Sequence, residues 1–346
     1  MIADAELLSL VRDELALCKV RAGEALIVLT DDGADPDYVH AFLTEARQAG
    51  AMAFQVNLPK RPPGPGAQNK RTALTGNQAA IDALKGADMV VDMIGLLWSP
   101  EQKQITDAGT RMLLVREPPE VLRRMFPTAT LRRRVEAAVD RLETAKMLRV
   151  VSDAGTDVTY RLGKFPAVAQ YGFTDLPGRW DHWPGGFAYT GGDEDGVEGT
   201  VVIATGDIIL PFMRYMEAPI RLTIERGMVH GIDGDGADAE LLHDYLRRWN
   251  DPRAYAVSHI GWGLDETALW DFMGTSPLGR RTTGADCRAY YGNVLFSTGP
   301  NSELGGDNDT PCHLDIPLKG CSLYLDGEMI IDHGDILPDD MRADGR

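Results

Sequence analysis

The chain has 346 residues, of which 44% are hydrophobic and 25% are charged, as is typical of globular proteins. A formal net charge of −17 argues against binding to nucleic-acid phosphates or to anionic membranes, since both need a basic surface. The longest apolar run, residues 89–98, is broken by Asp92 and is too short to span a bilayer. We therefore expect neither nucleic acid nor membrane among its partners.

The cysteines and the N-terminal segment bear on the compartment. None of the four cysteines is in a Cys-x-x-Cys motif: Cys18, Cys287, Cys312 and Cys321. A zinc ribbon or thioredoxin-like site is therefore unsupported, and free thiols in a chain of this length favour a reducing compartment. The N-terminal segment is amphipathic and acidic, unlike a signal peptide. We expect a cytoplasmic protein that forms a homo-oligomer.

The first 150 residues alternate strand-like and helix-like segments. Continuous apolar runs predict strands, whereas apolar residues at helical spacing predict helices. The predicted strands are residues 25–30, 52–58, 89–94 and 111–115, and the predicted helices are residues 37–49, 77–84 and 131–142, with a loop at 59–66. Strands separated by helices indicate βαβ units, so we predict a doubly wound α/β domain over residues 1–150.

This first domain is not predicted to bind a nucleotide, because neither Gly-x-Gly-x-x-Gly after the first strand nor a P-loop occurs. Beyond residue 150 the pattern changes to short strands and turns rich in Gly and Asp. We predict a mainly antiparallel α+β domain over residues 151–346. The Asp-rich residues 233–238 lack the Gly and Glu of an EF-hand loop and indicate a hairpin turn before a helix at 241–249.

The most informative segment is Thr-Pro-Cys-His-Leu-Asp-Ile-Pro at residues 310–317. Its alternation predicts a strand, in which side chains at i and i+2 face the same side. His313 and Asp315 can therefore reach one metal ion together, while Cys312 should face the core. A second histidine, His259, lies upstream in Ser-His-Ile-Gly-Trp-Gly. Two histidines and one carboxylate are the ligand set of non-haem Fe(II) oxygenases.

Residues 177–187 combine three aromatic rings, His182 and several glycines. Such a loop could wall a flat aromatic ligand and offer an imidazole for proton transfer. It is equally compatible with a buried Trp cluster around a core histidine. The Gly- and Asn-rich residues 291–306 are either a plain connection or part of a metal pocket. Zincin and serine-hydrolase motifs are absent.

Longer strings over most of the chain resemble the 2,5-dihydroxypyridine 5,6-dioxygenases, the ring-opening enzymes of bacterial nicotinate degradation. They include Ala-Leu-Thr-Gly-Asn at 73–77, Ser-Pro-Glu-Gln at 99–102, Glu-Pro-Pro-Glu-Val at 117–121, Phe-Ser-Thr-Gly-Pro-Asn at 296–301, and the segments around His182, His259 and His313.

This resemblance implies that His259, His313 and Asp315 bind Fe(II) and that His182 is the acid/base residue. It further implies extradiol-type cleavage of a hydroxylated pyridine by O2, without an organic cofactor. For 2,5-dihydroxypyridine the product would be N-formylmaleamate.

The wider superfamily includes dinuclear metallo-aminopeptidases that share the His-x-Asp strand. Those enzymes carry a Glu after a Pro-Gly-Gly turn and another before a Gly-x-Gly segment, where this chain has Phe187 and His259. Losing two carboxylates removes the charge that bridges two divalent ions, so one iron and an oxygenase are favoured. A hydrolase of the aminopeptidase type is the alternative, and a non-catalytic metal or small-molecule binder is a third hypothesis.

Two positions depart from the dioxygenase pattern. The family has a His before Ser-Pro-Glu-Gln and a Glu before Tyr-Gly, both thought to face the substrate, whereas this chain has Trp98 and Gln170. We predict that these two residues line the substrate pocket together with Trp183 and Phe187. Because a titratable base and a negative charge are lost, we expect a ring other than 2,5-dihydroxypyridine to be the better substrate.

Overall fold

The structure is a computed structural model that describes residues 4–60, 72–279 and 281–345. Of the loop predicted at residues 59–66, residues 61–66 lie outside the described part. Within the described part, no helix is long and apolar enough to cross a membrane.

The chain divides into two compact units: Met1–Pro127 with Gln170–Gly185, and Thr128–Ala169 with Gly186–Arg346. This division differs from the boundary predicted at residue 150. As a boundary between independently folding domains, residue 150 stays a prediction.

The described residues form twenty strands and nine α-helices. The strands are β1 (Ala25–Asp31), β2 (Met52–Leu58), β3 (Met89–Asp92), β4 (Arg111–Val115), β5 (Met147–Val151), β6 (Asp157–Arg161), β7 (Val168–Gln170), β8 (Trp180–Trp183), β9 (Phe187–Gly191), β10 (Val197–Ile203), β11 (Ile208–Ile209), β12 (Arg214–Tyr215), β13 (Ile220–Glu225), β14 (Met228–Asp233), β15 (Val257–Gly263), β16 (Val294–Thr298), β17 (Leu314–Leu318), β18 (Ser322–Leu325), β19 (Glu328–Asp332) and β20 (Asp335–Ile336). The helices are α1 (Asp4–Leu17), α2 (Pro36–Gln48), α3 (Gln78–Lys85), α4 (Pro100–Asp107), α5 (Pro119–Arg124), α6 (Ala129–Thr144), α7 (Ala237–Arg247), α8 (Phe272–Thr275) and α9 (Ala285–Ala289).

The first unit contains a parallel sheet in the order β2-β1-β3-β4-β8. Its core joins Ile27, Val90 and Met112 of the strands to Leu84 of α3 and Ile105 of α4. Burial of these side chains between sheet and helices supplies the main favourable free energy. The predicted doubly wound α/β fold is confirmed, and β1, β2 and β4 match the predicted strands to within one residue.

Strand β3 ends two residues earlier than predicted because of the Asp92 side chain. Its carboxylate accepts hydrogen bonds of 2.8–2.9 Å from the backbone N–H groups of Ile94, Gly95 and Leu96. These bonds turn the chain at once after the strand, a local alternative to ladder pairing that aspartate offers.

The sheet includes a strand that the sequence did not predict. Residues 180–183, expected to lie in a loop, form β8 and pair in parallel with β4, with His182 opposite Leu114. The strand is hidden at the sequence level because it has four residues between Gly- and Pro-rich flanks. Its buried Asp181 is satisfied by Arg179 and by the backbone N–H groups of Tyr171 and His182.

The second unit is mainly antiparallel, as predicted. An eight-stranded sheet has the order β14-β13-β10-β6-β5-β18-β19-β20, and a five-stranded sheet has the order β17-β16-β15-β9-β7. In the five-stranded sheet, His259 of β15 pairs with Gly191 of β9, and Asp315 of β17 pairs with Ser297 of β16. This sheet therefore carries two of the three predicted metal ligands, and the third, His313, immediately precedes β17.

The Asp-rich residues 233–238 connect β14 to α7 and do not form the hairpin turn that we predicted. The hairpin between β13 and β14 turns at Arg226 and Gly227, both with positive φ. Asp238 instead lies in the first turn of α7, where its carboxylate pairs with Arg214 and accepts hydrogen bonds from the backbone N–H groups of Glu217 and Ala218. The acidic side chain at this turn thus has a structural role.

Candidate metal centre

The candidate metal centre begins with His259 in the middle of β15. The strand has neighbours on both sides: it pairs with β9 from His259 to Gly263, and its register with β16 shifts between Val257 and Ile260, where His259 lies. The His259 backbone N–H donates to Ser297 Oγ at 2.8 Å, and Ser297 Oγ donates back to the His259 carbonyl at 3.0 Å. These contacts fix the backbone from which the imidazole projects.

His313 and Asp315 approach the same point from β17. His313 immediately precedes the strand, and its Nε2 lies 3.0 Å from Asp315 Oδ1. His259 Nε2 lies 3.2 Å from the same oxygen. Ligand atoms of the three residues all lie within 4.8 Å of one another. The structure therefore brings together the three side chains singled out from the sequence, with Cys312 buried as predicted.

Arg288 of α9 holds the second oxygen of Asp315. Its Nε donates to Asp315 Oδ2 at 2.6 Å, which leaves Oδ1 facing the two imidazoles. Burial would raise the pKa of Asp315, but the nearby charges of Arg288 and His313 outweigh it and hold the pKa well below its usual range. The carboxylate is thus kept as an anion, the form that binds a metal.

Glu303 contacts the other side of His259. Its Oε1 lies 3.2 Å from His259 Nδ1, and its side chain is 2% exposed. Burial lowers the pKa of His259, but hydrogen bonds to Asp315 and Glu303 outweigh burial and raise it to about 9.

These residues fit a single divalent metal. His259 Nε2, His313 Nε2 and Asp315 Oδ1 would hold it, since two imidazoles and a carboxylate on one side suit Fe(II) and related ions. His313 Nδ1 is buried without a hydrogen-bond partner in the described part of the structure. This atom is not the one that faces Asp315, so the fit to a metal rests on the donor set of two imidazole nitrogens and one carboxylate oxygen.

His182 lies in the first unit, in β8. Its Nδ1 is 2.6 Å from the carbonyl oxygen of Pro184, which can only accept, so Nδ1 carries a proton. In the neutral ring the lone pair is then on Nε2, the atom able to take up a proton. The ring is half-buried and meets the Trp180 ring edge-on, with the centroids 5.7 Å apart.

Trp98 also contacts this aromatic group. Its ring centroid lies 4.6 Å from that of Trp180. The backbone of Trp98 has φ of 56°, rare for a residue with a side chain, and its N–H donates to Gln102 Oε1 at 2.6 Å. Ser99 caps α4 by accepting the Gln102 N–H at 3.1 Å, so the Ser-Pro-Glu-Gln string fixes the position of Trp98.

The other predicted substrate residues are buried. Gln170 is 2% exposed, at the end of β7. Trp183 is 1% exposed and packs edge-on against Phe126. Phe187 stacks on Tyr189, whose ring lies 4.8 Å from that of His259. Their substrate contacts stay predictions.

Sequence reasoning missed Arg288 and Glu303. Arg288 is 27 residues from Asp315, and Glu303 is 44 residues from His259. Neither belongs to a short motif with its partner. The one sequence feature that could have pointed to Glu303 is that it is a lone acidic residue in the Gly- and Asn-rich segment 291–306.

Comparisons with known proteins agree with this geometry. The 2,5-dihydroxypyridine 5,6-dioxygenase family matches residues 6–338. A 2,5-dihydroxypyridine 5,6-dioxygenase of Pseudomonas putida KT2440 is 48% identical over 351 residues, covering 99% of this chain and 99% of the relative. The solved structure of the 2,5-dihydroxypyridine dioxygenase from Pseudomonas putida KT2440 has a TM-score of 0.94 and 47% identity, covering 99% of this chain and 100% of that one.

A more distant structure is similar in fold alone. Wild-type AmpT from Thermus thermophilus has a TM-score of 0.64 at 16% identity, covering 96% of this chain and 99% of that one. This supports the predicted aminopeptidase T-like fold. With a family match along nearly the whole chain, this protein belongs to the 2,5-dihydroxypyridine 5,6-dioxygenase family.

Proposed function

We propose that this dioxygenase binds one Fe(II) through His259, His313 and Asp315 and opens the ring of a hydroxylated pyridine with both atoms of O2. The observation that carries the proposal is the convergence of two imidazole nitrogens on Asp315 Oδ1, at 3.0 and 3.2 Å. It occurs in a chain 48% identical to a 2,5-dihydroxypyridine 5,6-dioxygenase.

The bound iron would supply orientation of substrate and O2 and electron transfer between them. Arg288 keeps Asp315 anionic and directs Oδ1 toward the metal position. His182 takes the proton of the ring hydroxyl at Nε2 and later returns it, while its Nδ1–H stays on the Pro184 carbonyl. Aromatic side chains exclude water from the reacting ring.

The substrate would be 2,5-dihydroxypyridine or a close analogue, in the degradation of nicotinate-type heterocycles. With 2,5-dihydroxypyridine, addition of O2 gives N-formylmaleamate, which contains both oxygen atoms. Trp98 and Gln170, proposed to contact the ring with Trp183 and Phe187, make the pocket less negative than a His and a Glu would. An analogue with an additional hydroxyl or carboxylate is therefore the preferred candidate.

We further propose that the enzyme works in the cytoplasm as a homo-oligomer, on a small molecule and O2. The four cysteines are buried free thiols, which suits a reducing compartment. Light scattering of the purified protein tests the assembly, and a monomer at micromolar concentration would contradict it.

The direct test is oxygen uptake by protein loaded anaerobically with Fe(II), against a panel of hydroxylated pyridines and benzenes. We expect uptake with at least one hydroxypyridine and none with simple phenols. Iron binding without oxygen uptake on any ring would favour the non-catalytic binder. Two metal equivalents per chain with peptide hydrolysis would favour the hydrolase, for which the described residues provide no specific support.

A further inference from the structure

Glu303 is a buried carboxylate with no part in the reaction described so far. Its side chain is 2% exposed, and its Oε1 lies 3.2 Å from Nδ1 of His259. We propose that Glu303 is a positioning residue that sets the tautomer and ring orientation of His259 for metal binding. This inference rests on the metal site of the proposed function.

Hydrogen-bond chemistry gives the direction of the effect. Glu303 Oε1 is placed to accept a hydrogen bond from His259 Nδ1, which puts the proton between the two residues on Nδ1. With Nδ1–H held by Glu303, the proton that metal binding must release is the one on Nε2, the atom that lies 3.2 Å from Asp315 Oδ1. Without an acceptor at Nδ1, the ring could rotate or hold its proton on Nε2, and either change would weaken the metal site.

The turn that carries Glu303 is held by hydrogen bonds within its own segment. Residues Ser302–Leu304 form a single 3₁₀ turn. Asn301 and Asn308 close the segment around it: the Asn308 backbone N–H donates to Asn301 Oδ1, and the Asn301 N–H donates to the Asn308 carbonyl, both at 3.0 Å. Asn308 Nδ2 also donates to the Gly299 carbonyl at 2.7 Å. This segment, for which the sequence left open either a plain connection or part of a metal pocket, is held together by the hydrogen bonds of its own asparagines.

Leu304 fixes this turn against the strand that pairs with His259. Gly191 lies opposite His259 in the sheet. A Cβ placed on Gly191 would come within 2.9 Å of Leu304 Cδ1 and of Phe165 Cδ2, so Leu304 fills the space that the glycine leaves. Leu304 is 5% exposed. Packing of the residue next to Glu303 therefore places this turn against the strand opposite His259.

The expected effect is on metal affinity. Carboxylates that orient a metal-bound histidine typically change affinity by ~10–100-fold. We expect Glu303→Ala to weaken Fe(II) binding by about that factor. Glu303→Gln should lose less, because its amide oxygen can still accept from Nδ1. The control is Asp309→Asn, which removes a charge from the same segment, where the carboxylate is 60% exposed and pairs with Arg253.

The experiment is anaerobic competition for Fe(II) between each variant and a chromophoric chelator, repeated with Zn(II). The thermal midpoint of each metal-free variant shows that it is folded. The inference is supported if affinity falls in the order wild type, Gln, Ala while Asp309→Asn matches wild type.

The inference is overturned if Glu303→Ala binds both metals within about twofold of wild type, or if Asp309→Asn loses as much. Neither measurement requires turnover, so the result is distinguishable from a failure of the proposed function. Wild-type protein that binds iron tightly but consumes no O2 would contradict the function and leave the role of Glu303 intact.

Discussion

In the parallel sheet, strands β1, β3 and β4 bury apolar runs, with polar side chains such as Thr30 and Asp92 only at the strand ends. In the five-stranded antiparallel sheet, β15, β16 and β17 bury Ser297, His259 and Asp315 within the strands. Buried polar groups destabilise a fold unless they are hydrogen-bonded, and these three are bonded to one another or to side chains from distant segments. The central strands of the parallel sheet are thus organised by apolar packing, whereas the antiparallel strands pack apolar side chains and also bury polar groups that depend on partners.

The largest expected effect is the loss of iron binding and turnover when a proposed metal ligand in the antiparallel sheet is removed. We expect His259→Ala, His313→Ala and Asp315→Ala each to lose iron binding and turnover, since each would remove one of the three proposed ligand atoms. Metal analysis and oxygen uptake measure this, with circular dichroism to confirm folding. His243→Ala, a change at an exposed helical histidine, is the control. A ligand variant with full iron content and normal kcat would refute the ligand assignment.

His182 tests the comparison between the two sheets, because it is a polar side chain in the otherwise mainly apolar parallel sheet. His182→Ala should lower kcat by ~10²–10⁴, the usual effect of a positioned proton-transfer group. It should spare iron binding, which depends on residues of the other sheet. Steady-state kinetics and metal analysis check both. Unchanged kcat with an unchanged pH profile would make His182 structural.

A large-to-small change in the parallel sheet should affect stability and not chemistry. Leu29 is fully buried in β1, so Leu29→Ala should lower the free energy of unfolding by ~2–5 kcal/mol. The folded fraction should still bind one iron per chain. Urea titration measures the first effect and chelator competition the second. If iron affinity fell as far as in the ligand variants, the two sheets would not be separable in this way.

Asp265 follows β15, and its titration should make stability depend on pH. Burial raises the pKa of Asp265 to about 6, partly offset by hydrogen bonds from Thr267. The folded state therefore binds a proton more readily than the unfolded chain, so the free energy of unfolding should fall as pH rises from about 4 to 6. Asp265→Asn should remove this pH dependence, which changes the free energy of unfolding by on the order of 1–3 kcal/mol across that range. Denaturation at several pH values measures it, and an unchanged slope in the variant would rule this residue out.

Substrate choice should show the smallest effect. If Trp98 and Gln170 contact the ring, the double variant Trp98→His with Gln170→Glu should raise kcat/KM for 2,5-dihydroxypyridine relative to the best wild-type substrate by about tenfold, on the order of one charged contact. The same substrate panel on both enzymes measures it. A wild type that already prefers 2,5-dihydroxypyridine, with no gain in the double variant, would show that these positions do not set specificity.

The same contrast explains what the sequence could predict. Strands β1, β2 and β4 are predictable because an apolar run reports burial without knowledge of its partner. His313 and Asp315 are predictable because the period of a strand places them on one face. Strand β8 escapes prediction because the partners of Asp181 are known only from the fold.

Arg288 and Glu303 escape prediction for a related reason. Each contacts a proposed metal ligand far along the chain, and no local sequence pattern indicates that contact. Which polar side chains form hydrogen bonds with each other depends on the three-dimensional structure. Apolar periodicity, in contrast, can be read from a single segment of the sequence.

The most direct test of the central claim is ¹⁸O2 labelling of the product formed by anaerobically purified, iron-loaded enzyme. The account predicts that about one Fe(II) per chain supports turnover, the count expected for one such ligand set. Both oxygen atoms of one O2 should enter each ring-opened product, and an iron chelator should stop the reaction. Full activity with zinc alone would contradict the account, because zinc has no redox chemistry. A product that takes its oxygen from water would contradict it as well.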